Sequence, residues 1–222
     1  MVVGCGATGF RTEGGRLTGV ITTLGTIATD TAIIAAGPFS GQVAALAGVT
    51  LPVHTVARQK IVMPECDLVP GHAPMVIDDD TGAHWRPALR GAYLLFTDPA
   101  TAPSPPTENV PPDHGAALRV MDPASAVSVA RVAPFWAEVW TRSSATWIVH
   151  AGQYTMTPDH RPLLGPTEVA GLWINSGYSG HGIMGSPAGS RHLIDVLTGR
   201  IGEDANRFRL DREFIARDLD VL

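Results

Sequence analysis

The sequence predicts a mixed α/β fold rich in antiparallel strands. Three observations carry that expectation: short Val-, Ile- and Thr-rich runs parted by glycines at the N-terminus, a second set of short strand patterns between residues 51 and 96, and one long helical stretch near the C-terminus.

Residues 17–23 and 31–36 read as strands separated by Gly14-Gly15 and Gly25, so residues 1–36 are expected to form a meander. Its last strand, residues 30–37, is an almost unbroken apolar run, the pattern of a strand covered on both faces. Pro38-Phe39-Ser40 then turns the chain into a short helix over residues 42–46. An alternating pattern over 51–63, followed by 74–77, 83–85 and 92–96, predicts a second, antiparallel sheet. Residues 98–115 hold six prolines and no period, which predicts a loop. Over 123–140, Val127, Val129, Val132, Phe135, Trp136 and Val139 recur at helical spacing, and Pro134 should kink or split that helix. Residues 147–151 and 172–175 read as further strands. The last helix should start between Gly182 and Pro187 and run to Thr198, with Gly199 as its stop.

A chain of 222 residues can bury a real core. Its net charge of −5 gives no electrostatic footprint for a phosphate backbone, so nucleic acid is not an expected partner. Cys5 and Cys66 are too few for a disulfide framework and read as reduced thiols. The apolar runs are shorter than a membrane span, and a cytoplasmic protein without a membrane partner is expected. All basic residues are arginine except Lys60, the one candidate for any chemistry that needs a lysine.

Gly4-Cys5-Gly6-Ala7-Thr8-Gly9 matches the dinucleotide fingerprint in form, but Phe10 to Gly15 reads as a hairpin where that motif needs a helix. Around Ser179 the spacing is one residue short of the G-x-S-x-G nucleophile elbow, which disfavours a hydrolase. The histidines show no metal-type spacing, so no metal site is expected. Gly177 to Gly182 sets three glycines in six residues before a long helix, bringing a ligand against bare N–H groups at a positive helix end. The stretch 150–159 joins a strand to a turn and places Tyr154 where its hydroxyl can face a cleft.

Together these segments resemble the FAD-dependent amine oxidoreductases of the D-amino-acid oxidase superfamily, nearest to the sarcosine oxidase and dimethylglycine dehydrogenase branch, over almost the whole chain. The resemblance rests on residues 30–40, on the stretch from Leu51-Pro52 to Arg58-Gln59, and on 78–96 with His84-Trp85-Arg86-Pro87. It rests also on Tyr154 to Asp159 with Arg161-Pro162-Leu163-Leu164-Gly165, and most specifically on Gly177-Tyr178-Ser179-Gly180-His181-Gly182-Ile183-Met184.

The resemblance implies an antiparallel-rich substrate-domain sheet plus a partial FAD-binding subdomain that lacks the family's N-terminal βαβ unit. In that division residues 1–50 and 151–222 belong to the FAD-binding subdomain, and 51–150 form the substrate-binding sheet. It also implies oxidation of a C–N bond of a small secondary or tertiary amine or N-substituted amino acid by hydride transfer to flavin. Gly37, Pro38, Gly152, Gly177, Gly180, His181, Gly182, Ile183 and Met184 would line the cofactor, and Tyr154, Arg86 and His181 would orient substrate or tune its protonation. Sarcosine-type relatives often attach flavin through a cysteine two residues before the tyrosine; Gly152 stands there, which implies non-covalent FAD. They also carry a lysine where Met184 sits, holding the substrate carboxylate, and another over the flavin near Tyr93 that promotes reaction with oxygen; neither position holds a lysine in this sequence. The expected partner is a separate N-terminal FAD-binding half or subunit; the alternative is a non-catalytic fragment or interaction subunit unable to bind FAD alone.

Overall fold

The computed structural model describes residues 1–142 and 146–215. Among these residues the strands form three sheets, and the chain divides into two compact units. Among the described residues the first comprises Met1–Val56, Ser104–Thr107 and 154–215; the second comprises Ala57–Pro103 and Glu108–Gln153.

In the first unit, β1 (Ala7–Glu13), β2 (Arg16–Thr22) and β3 (Gly25–Ala28) make the expected meander, with Gly14 and Gly15 forming the first turn at positive φ. The chain from Phe10 is therefore a hairpin, and the Gly4–Gly9 run opens no helix. The fourth strand departs from expectation. β4 (Ala32–Ile34) leaves the meander and runs parallel to β11 (Leu172–Ser176), which pairs antiparallel with β10 (Leu163–Pro166). Nor is β4, the edge strand of this sheet, covered on both faces: Ile34 packs into the core, but Ile33, pointing to the opposite face, is 42% exposed. Ile34, Leu163, Leu172 and Ile174 form a core with Ala44 of α1 (Ser40–Ala45) and with Val49 and Leu51. Helix α4 (Gly182–Leu197) has the predicted bounds within one residue, and Gly199 closes it at φ +73°.

The second unit is built on β5 (His54–Met63) from Ala57 on, β6 (Val76–Ile77), β7 (His84–Ala88), β8 (Gly91–Phe96) and β9 (Ile148–Met156) up to Gln153, in a sheet of order β6-β7-β8-β5-β9. Alternation sends Ile61, Met63, Trp85, Leu94 and Val149 to one face. There α2 (His114–Met121) and α3 (Phe135–Arg142) cover them. Trp85 meets Phe135 and Trp136 edge-to-face, with ring centroids 5.1 and 5.5 Å away. The predicted helix over 123–140 is corrected here. Pro123 and the turn bonds of Ser125 and Ser128 keep residues 122–128 irregular, Val129–Arg131 is a 3-10 turn, and α3 starts directly after Pro134. The helix that the sequence reading missed is α2, which starts inside the predicted loop. Asp113 caps it, its carboxylate accepting from the Ala116 N–H at 3.0 Å.

His84 is buried at 5% exposure, and its Nδ1–H donates to the Gly82 carbonyl at 2.8 Å. Burial disfavours the imidazolium and holds the pKa below its ordinary 6.5, against the pull of that hydrogen bond. With the folded pKa below the unfolded one, the unfolded chain takes up this proton first, so stability is lost as pH falls from about 6.5 through the folded pKa. Urea midpoints should drop between pH 7.5 and 5, and His84→Gln should remove much of that slope; an unchanged slope contradicts the assignment.

Candidate functional site

Because β4 and β11 are parallel, their C-terminal ends lie at one edge of the sheet. The pairing runs Ala32–Leu172, Ile33–Trp173, Ile34–Ile174, and Gly37 and Gly177 each follow three residues after its last pair. Two glycine turns thus open at the carboxyl ends of adjacent parallel strands, where open α/β sheets place ligands. Gly37 has φ +53° and starts the turn Gly37–Phe39, with Pro38 at its first positions. Behind it, Ser176 Oγ donates to Ser40 Oγ at 2.7 Å, a fully buried bond that ties the end of β11 to the start of α1.

The second turn is shaped by contact as well as by φ. Gly177 (φ +70°) leaves no room for a side chain: a Cβ there would lie 2.6 Å from Thr157 Cγ2. At Gly180 (φ +93°) a Cβ would lie 2.6 Å from Cε2 of Tyr154. Tyr154 therefore rests its ring directly on the backbone that enters α4. Between the two glycines, Ser179 is 1% exposed and accepts from the Thr157 N–H at 3.1 Å, while its own N–H donates to the Thr155 carbonyl at 3.0 Å. Ser179 is a tie between the loop and the end of β9, and no nucleophile.

The helix that follows has an open beginning. His181, at the N-cap, makes no side-chain capping bond. The first N–H of this stretch to find a carbonyl inside α4 is that of Gly185, which donates to His181 at 2.8 Å. Among the described residues, the N–H groups of Gly182, Ile183 and Met184 have no backbone acceptor. Ile183 is 94% exposed and Met184 68%, two large apolar side chains flanking free donors. That combination fits a planar, partly apolar ring system with acceptor oxygens at its edge, which is the chemistry of an isoalloxazine.

Sequence reasoning missed what holds this edge in place. Tyr178 lies across α4 at Gly185 and Gly189, where a Cβ on Gly189 would come 2.3 Å from its hydroxyl. That hydroxyl donates to Asn175 Oδ1 at 2.6 Å, Asn175 donates to Ser190 Oγ at 3.0 Å, and burial raises the phenol pKa. The small-residue spacing Gly185–Gly189 is the sequence signal for that groove. Equally unforeseen, Arg212 forks onto Asp159 at 2.7 and 2.8 Å and fixes the turn after Tyr154.

Gly37, Pro38, Tyr154, Gly177 and Gly180 to Met184 all lie in the first unit. Gly152 and Arg86 belong to the second. A Cβ at Gly152 would meet nothing within 4 Å. Arg86 is exposed on β7, its guanidinium 4.7 Å from the ring centroid of Tyr93. No group of metal-ligating side chains occurs among the described residues, and no helix there is long and apolar enough to cross a membrane.

The family model "FAD dependent oxidoreductase" (DAO) matches residues 1–196. The chain belongs to this family. A D-amino acid dehydrogenase of Cereibacter sphaeroides (strain ATCC 17029 / ATH 2.4.9) is 31% identical over 205 residues, covering 90% of this chain and 42% of its own length. A glycine oxidase of Pseudomonas putida KT2440 is 30% identical over 199 residues, 88% of this chain and 49% of its own. Among solved structures, glycine oxidase from Geobacillus kaustophilus superposes with a TM-score of 0.70 at 23% identity, covering 94% of this chain and 52% of that one. The chain spans about half the length of the relatives it matches, or less. FAD is the expected cofactor of this DAO-family chain, and the mixed α/β fold agrees with the solved neighbours. These relatives establish the DAO family as a whole and do not single out its sarcosine oxidase branch.

Proposed function

We propose that this chain supplies the flavin-facing edge and the substrate sheet of an FAD-dependent oxidoreductase that oxidises a C–N bond of a secondary or tertiary amine or an N-substituted amino acid. The observation that carries this reading is the pair of glycine turns at the C-terminal edge of β4 and β11, beside the open start of α4. FAD, when bound, would supply the hydride acceptor. The N–H groups of Gly182, Ile183 and Met184 would hold the electron-rich edge of the ring system, with donors and helix dipole already oriented. Gly37, Pro38, Gly177 and Gly180 would allow close backbone approach, and with glycine at position 152 there is no thiol there for a covalent link.

Tyr154, fixed on Gly180, would direct its hydroxyl at substrate; His181 would bind or release a proton beside it, and Arg86 would act as a substrate-orienting cation. The division of the chain near Val56 and Gln153 supports assigning 1–50 and 151–222 to cofactor binding and 51–150 to substrate binding. A separate N-terminal FAD-binding half is the proposed partner. Tyr154→Phe is expected to slow single-turnover flavin reduction in the reconstituted holoenzyme by about 10²-fold or more, the scale of a positioned proton-transfer group. Reduction at the wild-type rate would reject that role. A second reading, a non-catalytic subunit, is favoured by the hairpin at Ala7–Thr22, where the fingerprint glycines form no phosphate cradle. Quenching of FAD fluorescence, by the chain alone or with an added N-terminal half, supports the flavin reading; no quenching in either case supports the second.

A further inference from the structure

The face of the β5–β8 sheet opposite its core carries a pair of cations. Tyr93 on β8 stands opposite Arg86 on β7 and Val62 on β5, and Lys60 is two residues from Val62 on the same face. The Lys60 Nζ lies 4.8 Å from the Tyr93 ring centroid and the Arg86 guanidinium carbon 4.7 Å from it, so one aromatic ring serves two positive charges from strands on either side. In the same unit Arg90 pairs with Glu65, Arg119 with Asp98, Arg131 with Asp78 and Asp80, and Arg142 with Glu138. Among the described residues no carboxylate reaches ion-pair distance of Lys60 or Arg86. The chain's one lysine and an arginine are thus kept on a shared platform without a counter-charge.

We infer that Lys60 and Arg86, seated on Tyr93, form a two-point site for the carboxylates of a dianionic substrate, which narrows the substrate class to N-substituted amino acids bearing two carboxylates. The ligand's role as substrate rests on the amine-oxidoreductase reading above; the anion site itself does not. The arginine fork can take one carboxylate bidentately, and the lysine is a point charge suited to a second. The two cations come from strands on opposite sides of β8, so two carboxylates joined by a short chain fit them better than one compact anion.

Titration of the purified chain with glutarate, acetate and inorganic phosphate, followed by NMR of labelled tyrosine rings, tests this. Saturable shifts of Tyr93 with glutarate are expected, at least tenfold tighter than with acetate or phosphate. Lys60→Met and Arg86→Met should each weaken glutarate at least tenfold, while Lys60→Arg should retain most of the affinity and show that the sheet is intact. Glutarate affinity unchanged in both methionine variants, or phosphate or acetate binding as tightly, overturns the inference. FAD-fluorescence quenching on the same samples keeps the two readings apart. FAD binding without a glutarate response rejects only the anion site, and a glutarate response without FAD binding upholds the site while counting against the flavin reading.

Discussion

Arg212→Ala is expected to cost about 3–5 kcal/mol of unfolding free energy at pH 7, the range for breaking a buried ion pair and leaving one charge uncompensated. The side chains of Arg212 and Asp159 are 9% and 5% exposed, and Arg212 also donates to the Arg161 carbonyl at 2.9 Å. Burial pushes the Asp159 pKa up, but the hydrogen bonds from Arg212, the Arg161 N–H and Thr157, with the Arg212 charge, together hold it below its ordinary 3.8. The folded pKa lies below the unfolded one, so the stabilisation is fully present above about pH 3.8 and is lost as pH falls through the folded pKa. In urea unfolding the gap between wild type and Arg212→Ala should therefore be wide at pH 7 and narrow in acid. Arg212→Lys should fall between them, since it keeps a charge but not the fork. A loss below about 1 kcal/mol at pH 7, the scale of an exposed pair, would contradict this account.

Gly180→Ala should do more damage to function than its single methyl suggests. The residue has φ +93°, and its new Cβ would sit 2.6 and 3.0 Å from Cε2 and Cδ2 of Tyr154. Left-handed backbone strain and ring displacement should each cost about 1–3 kcal/mol. The displaced phenol and distorted entry to α4 should weaken FAD binding at least tenfold and slow flavin reduction at least as much as Tyr154→Phe. If contact with the ring is the cause, Tyr154→Ala should recover part of the FAD affinity lost in Gly180→Ala, a coupling that a double-mutant cycle reads directly. Strict additivity would assign the effect to backbone strain alone.

Local chemistry was legible in the sequence where neighbouring residues decide it. Gly14-Gly15 announces the hairpin that disqualifies the fingerprint glycines, and Gly182 and Gly199 bracket α4. Pro134 does part the helical pattern, but apolar spacing misled upstream of it: Val129 is fully buried from a 3-10 turn that needs no helix. β10 is a four-residue strand with Gly165 and Pro166 inside it, too short to show a period. What the sequence concealed was long-range. Nothing near residue 32 indicates a parallel partner 140 residues on, so the β4–β11 edge from which both glycine turns leave appears only in the fold. Likewise, the Asp159–Arg212 pair joins residues 53 apart.

The most direct test of the central claim is backbone amide hydrogen exchange at Gly182, Ile183 and Met184 with and without FAD, in the chain or in the chain with its N-terminal half. These donors are open, and FAD should slow their exchange at least tenfold, with Ile183 and Met184 side-chain resonances shifting together. Flavin bound and quenched while those three amides exchange at their flavin-free rate would show that the start of α4 does not receive the cofactor.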